Sequence, residues 1–225
     1  MTLEKKKFIR RLMILPLLPV ASLVYVIVNL INNQRDKNIF NIVKYPLDDV
    51  IKFNRIFAIP YFYWYFLIAI TALLLIRSKK DLYYRYILCS VTGMLLSCAI
   101  FIIYPTYVPR PFIEGNDILT KMVQLIYTID KPYNCFPSAH VVYAVIISLF
   151  LYKYKHDSVW FNIWNMISCL SIIASTVFMK QHYLPDVVSG AIIGVLLFAI
   201  YEGTIVRRVA RAIKYFIQGD KVENE

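Results

Sequence analysis

The chain has 225 residues, 59% of them hydrophobic, with a mean hydropathy of +0.57 and 25 Lys and Arg against 14 Asp and Glu. Apolar runs of about 20 residues recur, the length that crosses a hydrocarbon core of roughly 30 Å. That excludes a water-soluble globule and predicts an all-α, polytopic membrane bundle. Most of the net charge of +11 sits beside the apolar runs, where anionic lipid headgroups attract it; membrane lipids are the expected partner and nucleic acid is not.

The first apolar run, Leu12 to Ile31, follows Lys5, Lys6, Lys7, Arg10 and Arg11. Asn29-Leu30-Ile31-Asn32-Asn33-Gln34 stands where a small-residue cleavage site would follow a signal peptide, so a retained signal-anchor helix is expected. Further spans are predicted at about 59–76, 86–104, 138–152, 160–178 and 187–206. With no Gly/Ser-rich linker or internal repeat, residues 1–225 read as a single membrane domain. Between the first two spans, Leu47, Val50, Ile51 and Phe57 recur at helical spacing with Asp48, Lys52 and Arg55 on another face. Two readings stand: a short helix in the membrane interface, or a packed helix capping the bundle.

Lys and Arg in the connections set the orientation. The amino terminus, the 77–85 connection, Lys153 with Lys155, and the tail from Arg207 carry sixteen; the alternate connections carry nine over longer loops. Both termini are therefore expected to be cytoplasmic, with the loops around 32–58, 105–137 and 179–186 outside. The Ile/Lys/Asn/Tyr-rich composition points to an AT-rich bacterium, making that side the outer face of the plasma membrane.

Three segments bearing chemistry fall on that outer side: Val108-Pro109-Arg110-Pro111, Cys135-Phe136-Pro137-Ser138-Ala139-His140, and Ser175 to Asp186. His182 and Asp186 are four apart and share a helical face. A carboxylate there can fix the imidazole tautomer and leave the other nitrogen as a nucleophile. His140, from another span, is suited to protonate a leaving oxygen. Arg110 offers a planar fork of donors for phosphate oxygens, and Lys180 adds a second positive charge. Ser138 reads as a helix N-cap whose neighbouring N–H groups favour an anion. Together these are the parts a transferring phosphoryl group requires.

Other chemistries fit less well. His140, His182 and Asp186 would suffice as zinc ligands, but Arg110 and Lys180 would repel a cation. Cys135 as a tyrosine-phosphatase nucleophile fails on spacing, because Val141 stands where an Arg is needed. A serine hydrolase on Ser138 and His182 stays open but lacks the Gly-x-Ser-x-Gly context. Cys89, Cys98 and Cys169 read as small hydrophobes, and Glu114, Asp117 and Asp130 as solvated loop acids.

At these three segments the sequence resembles the type 2 phosphatidic acid phosphatase superfamily, whose signature runs Lys-x6-Arg-Pro, Pro-Ser-Gly-His and Ser-Arg-x5-His-x3-Asp. Arg110-Pro111, Pro137-Ser138-Ala139-His140, and Ser175-Thr176 with His182 and Asp186 match it in order, giving a family-like core at about 85–206. The resemblance implies six spans, a lipid phosphate substrate and no metal or other cofactor. It also implies His182 as the nucleophile forming a phosphohistidine, Asp186 orienting it, His140 as the acid, and Arg110 with Ser138 and Ala139 holding phosphate. Ile103, Ala139 and Thr176 depart from the signature, leaving two usual cations missing. Thr176 and Lys180, four apart, would share a helical face, so that Lys180 substitutes for one of them. The Asn-Cys-Phe-Pro-Ser-x-His and Lys-Gln-His-Tyr patterns are similar to the branch that includes inositol phosphorylceramide synthases, which pass the headgroup to an alcohol. Three functions follow as expectations: first a phosphatase acting on a lipid phosphate or diphosphate, then a phosphotransferase, then a non-catalytic membrane protein with a degenerate site.

Overall fold

Helices account for 73% of the computed structural model, which describes residues 8–9, 11–78 and 81–218. In chain order they are α1 (Leu17–Gln34), a single turn α2 (Leu47–Val50), α3 (Ala58–Leu75), α4 (Leu82–Ile103), α5 (Ile118–Ile129), α6 (Ala139–Tyr154), α7 (Val159–Phe178), α8 (Leu184–Glu202) and α9 (Thr204–Gln218). Five of them (α1, α3 extended back to Arg55, α4, α7 and α8) are long and apolar enough to cross a membrane. Lys5–Lys7, Arg10, Lys79, Lys80 and Lys221, counted in the charge argument, lie outside the described residues.

The fourth predicted span, α6, has 16 residues and reaches only about 24 Å at 1.5 Å per residue. It occupies the centre of the bundle, with His140, Val141, Val142, Ile146, Ile147, Phe150 and Leu151 all buried. Surrounded by protein, it has no need to match the bilayer. Its neighbours approach closely because they present glycine: a Cβ on Gly190 would stand 2.7 Å from the Ser138 carbonyl, and one on Gly194 would stand 2.9 Å from Val145 Cβ. Gly190 and Gly194 form a small-xxx-small seam on α8, the spacing that lets helix backbones meet. On α4, a Cβ at Gly93 would lie 3.0 Å from Val142 Cγ1.

The two ends of the bundle differ. At one, Arg11 donates to the carbonyls of Ile76 and Ser78 at 2.5 and 3.0 Å, and Arg85 pairs with Asp81 at 3.2 Å and with Glu202, which also receives Lys153. At the other end the long connections knit together. Asn41 N–H donates to the Pro105 carbonyl and Tyr107 N–H to that of Asn41, both at 3.0 Å. Asn54 N–H reaches the Phe178 carbonyl, also at 3.0 Å.

In the first of these connections the helix is shorter than the apolar spacing suggested. Only one turn of helix forms at Leu47–Val50, with Leu47 and Val50 exposed and Asp48 buried. The Asp48 carboxylate accepts the N–H groups of Tyr45 at 2.8 Å and Leu184 at 2.9 Å, so it caps the start of α8. Hydrogen-bond demand at a helix terminus outweighs the burial that the apolar spacing called for. Two helices went unpredicted: α5, inside a connection, and α9, in the basic tail.

Candidate active site

His182 sits between α7 and α8, where the chain doubles back. Lys180 ends α7 in the left-handed region at φ +50°, a conformation that commonly terminates helices. The N–H groups of Gln181 and His182 then both donate to the Thr176 carbonyl, at 3.0 and 3.1 Å. His182 Nδ1 lies 2.9 Å from the Cys135 carbonyl oxygen. That oxygen can only accept, so Nδ1 carries the proton and Nε2 is the ring's free nitrogen.

Asp186 Oδ2 is 3.6 Å from His182 Nδ1, beyond a hydrogen bond. It accepts the Tyr183 N–H at 2.9 Å instead, capping α8. The expected Asp–His hydrogen bond is therefore replaced: the Cys135 carbonyl fixes the tautomer, while Asp186 stands beside the ring as a buried charge. Burial pushes the Cys135 thiol pKa well above its ordinary value, so this residue contributes its backbone and not a thiolate.

His140 follows the N-cap of α6. Ser138 Oγ accepts the Val141 N–H at 3.4 Å, and the Ser138 N–H donates to the Asp186 carbonyl at 3.0 Å, joining two of the three motifs directly. Ala139 is buried against the bundle. The His140 ring centre is 5.9 Å from that of His182 and is held between Trp64 at 4.2 Å and Tyr61 at 4.5 Å. Its Nε2 is buried without a hydrogen-bond partner.

Arg110 completes the group. Its guanidinium lies 4.6 Å from the Tyr127 ring centre and donates to the Asp130 carbonyl and to Gln181 Oε1, the neighbour of His182. Arg110 Nε and Gln181 Nε2 are both buried and unpartnered, leaving two donors for an anion.

The structure does not bring Thr176 and Lys180 together as proposed from their spacing. Helix α7 stops at Phe178, so the two share no helical face. Thr176 is fully buried, and its hydroxyl donates to the Ile173 carbonyl at 2.8 Å; its contribution is the backbone carbonyl that folds the turn. Lys180 reaches the Asp48 carbonyl at 3.1 Å and the Ile51 carbonyl, pinning the α2 turn. It also lines an open cavity of about 450 Å³ with Arg110, Lys44 and Lys52, so it reaches the site's rim and not a cradle shared with Thr176.

Several residues of this site were not singled out from the sequence. Asp130 is buried, not solvated, and its carboxylate accepts the hydroxyls of Tyr25 at 2.5 Å and Tyr61 at 2.9 Å. Trp64 stacks on His140, Gln181 accepts from Arg110, and Asn29 lines a cavity with His140. Only Gln181 carried a local signal, its place beside His182. Asp117 caps α5 by accepting the Thr120 N–H at 3.2 Å and pairs with Arg55 at 2.5 Å.

A family model described as PAP2 superfamily matches residues 39–200. The chain belongs to the PAP2 superfamily. Proteins of this superfamily are generally phosphatase-type enzymes, and the match takes in Arg110, His140, His182 and Asp186 while leaving all of α1 outside it. No curated protein and no solved structure matches the chain.

Proposed function

We propose that this PAP2 protein is an integral membrane lipid phosphatase that hydrolyses a lipid phosphate at the extracytoplasmic face through a phosphohistidine. One observation carries the reading: two buried imidazoles lie 5.9 Å apart with His182 Nε2 and His140 Nε2 both free. His182 Nε2 attacks phosphorus, the bond to the lipid oxygen breaks, and His140 gives that oxygen a proton. His140 then takes a proton from water as the water attacks phosphorus, the P–N bond breaks, and phosphate leaves. Arg110 and Gln181 donate to the phosphoryl oxygens, and Asp186 stabilises the positive ring. Lys180 adds positive charge at the rim. The charge asymmetry of the two ends supports cytoplasmic termini and an outward-facing site in a bacterial plasma membrane.

A second reading, transfer of the phosphoryl group to an alcohol as in inositol phosphorylceramide synthase-like members, draws on the open cavity beside Arg110 and Lys180. The exposed Asp49 carboxylate on its wall is an acceptor for hydroxyl groups.

Purified protein given a panel of lipid phosphates, with and without chelator and an added alcohol, separates these readings. Free phosphate that survives chelation and is lost in His182→Ala is the expected result. Full activity in His182→Ala, or release that stops with chelator, sinks the mechanism; transfer without free phosphate promotes the second reading.

A further inference from the structure

Helix α1 packs on α4 and stands apart from α3, and the gap between α1 and α3 is a continuous apolar cleft. Its lower part, about 640 Å³, runs past Leu15, Pro19 and Leu73; its upper part, about 260 Å³, ends at His140; Ser22 and Tyr65 line both. Exposed Val26 and Leu30 flank the upper part on α1, so the cleft faces the bilayer sideways. From Asn29 down to Pro19 is ten residues of helix, about 15 Å at 1.5 Å per residue. That is the depth of one leaflet, half of a core of roughly 30 Å.

The upper part of this cleft is polar in an uneven way. Asn29, Trp64 and His140 line it and are 5%, 6% and 6% exposed. Asn29 Nδ2, Trp64 Nε1 and His140 Nε2 all lack a hydrogen-bond partner. Asn29 Nδ2 and Trp64 Nε1 can only donate, and buried donors without acceptors are costly and uncommon, so the two call for an acceptor from outside the protein. Asp130, on the same wall, is already occupied by Tyr25 and Tyr61.

We infer that the α1–α3 cleft is the subsite for the leaving group, and that Asn29 and Trp64 read an ester carbonyl next to the phosphate-bearing oxygen. An acylated lipid phosphate enters laterally and lays a chain along Tyr65 toward Pro19. It places its ester carbonyl on the Asn29 and Trp64 donors, with the phosphate-bearing oxygen at His140. The site therefore selects ester-linked glycerolipid phosphates over chains with no oxygen at that position. The role given to His140 rests on the phosphatase reading; the cleft and its donors do not.

The test is made by binding, so that it stands apart from turnover. His182→Ala protein in nanodiscs is photolabelled with a diacylglycerol phosphate bearing a diazirine in its chain, and the adducts are mapped. Adducts in α1 and α3 along the cleft are expected; adducts confined to other faces overturn the subsite. Labelling is then competed with unlabelled diacylglycerol phosphate or its diether analogue, which has the same chains and no carbonyl. The ester is expected to compete about tenfold better, the order of one hydrogen bond, and Asn29→Leu to remove that advantage. Equal competition before the substitution, or an advantage that survives it, overturns the reading of the carbonyl. Cleft labelling without phosphate release by the wild type would sink the phosphatase reading and leave the subsite standing.

Discussion

At the scale of single residues, Asp186 has two duties that its neighbours separate. Its carboxylate caps α8 through the Tyr183 N–H at 2.9 Å and lies 3.6 Å from His182 Nδ1. An Asn in its place keeps an oxygen for the cap and removes the charge. Asp186→Asn is therefore expected to melt within a few degrees of wild type and to release phosphate on the order of 10²-fold more slowly. Asp186→Ala should in addition lose about 1 kcal/mol of stability with the cap. Thermal unfolding alongside initial rates checks both, and an Asn variant with full activity shows that only the cap matters. The same scale explains what the motifs did not show. His182 owes its tautomer to the Cys135 carbonyl, a backbone atom that no pattern of side chains announces. Lys180 could not be placed by counting four from Thr176, because the helix on which that count depends ends at Phe178.

Among the elements, the α6–α8 seam decides the site. The Ser138 N–H donates to the Asp186 carbonyl at 3.0 Å, and Gly190 packs against the Ser138 carbonyl one turn farther along α8. A Cβ added there would meet backbone at 2.7 Å, which no rotamer relieves, so the helices must part. Gly190→Ala is expected to cost about 1–3 kcal/mol and to lower phosphate release at least tenfold by moving His140 away from His182. Gly203→Ala, in the α8–α9 link, is a control remote from the histidines. Equal rates in wild type and Gly190→Ala would show that the seam does not set the geometry. All six predicted spans match helices to within a few residues at most ends, because apolar length is a local property of the chain. The fourth, α6, is short, since its surroundings are protein. Helix α5 was missed because twelve residues between loops do not stand out by hydropathy.

Across the whole molecule, the charged end with Arg11, Arg85, Lys153 and Glu202 opposes the end that holds the histidines. All four cysteines are buried and unpaired, so introduced thiols report position against a low background. Glu114→Cys, in the connection before α5, is expected to react with a membrane-impermeant maleimide on intact cells. Asp157→Cys, between α6 and α7, should react only after permeabilisation. The reverse pattern would turn the molecule over and place the site in the cytoplasm.

The sequence by itself determined that this chain is a helical membrane bundle and named the arginine, two histidines and aspartate that the fold brings together as a candidate site. Hydrophobic length and motif spacing are carried by neighbours along the chain. Tertiary structure alone decided that Asp130 is buried between two tyrosines, that Lys180 pins a distant turn, and that Asn29 and Trp64 line one apolar cavity with His140. Those relations join residues tens to more than a hundred positions apart, and only the packing of α1, α3, α6 and α8 brings them within reach.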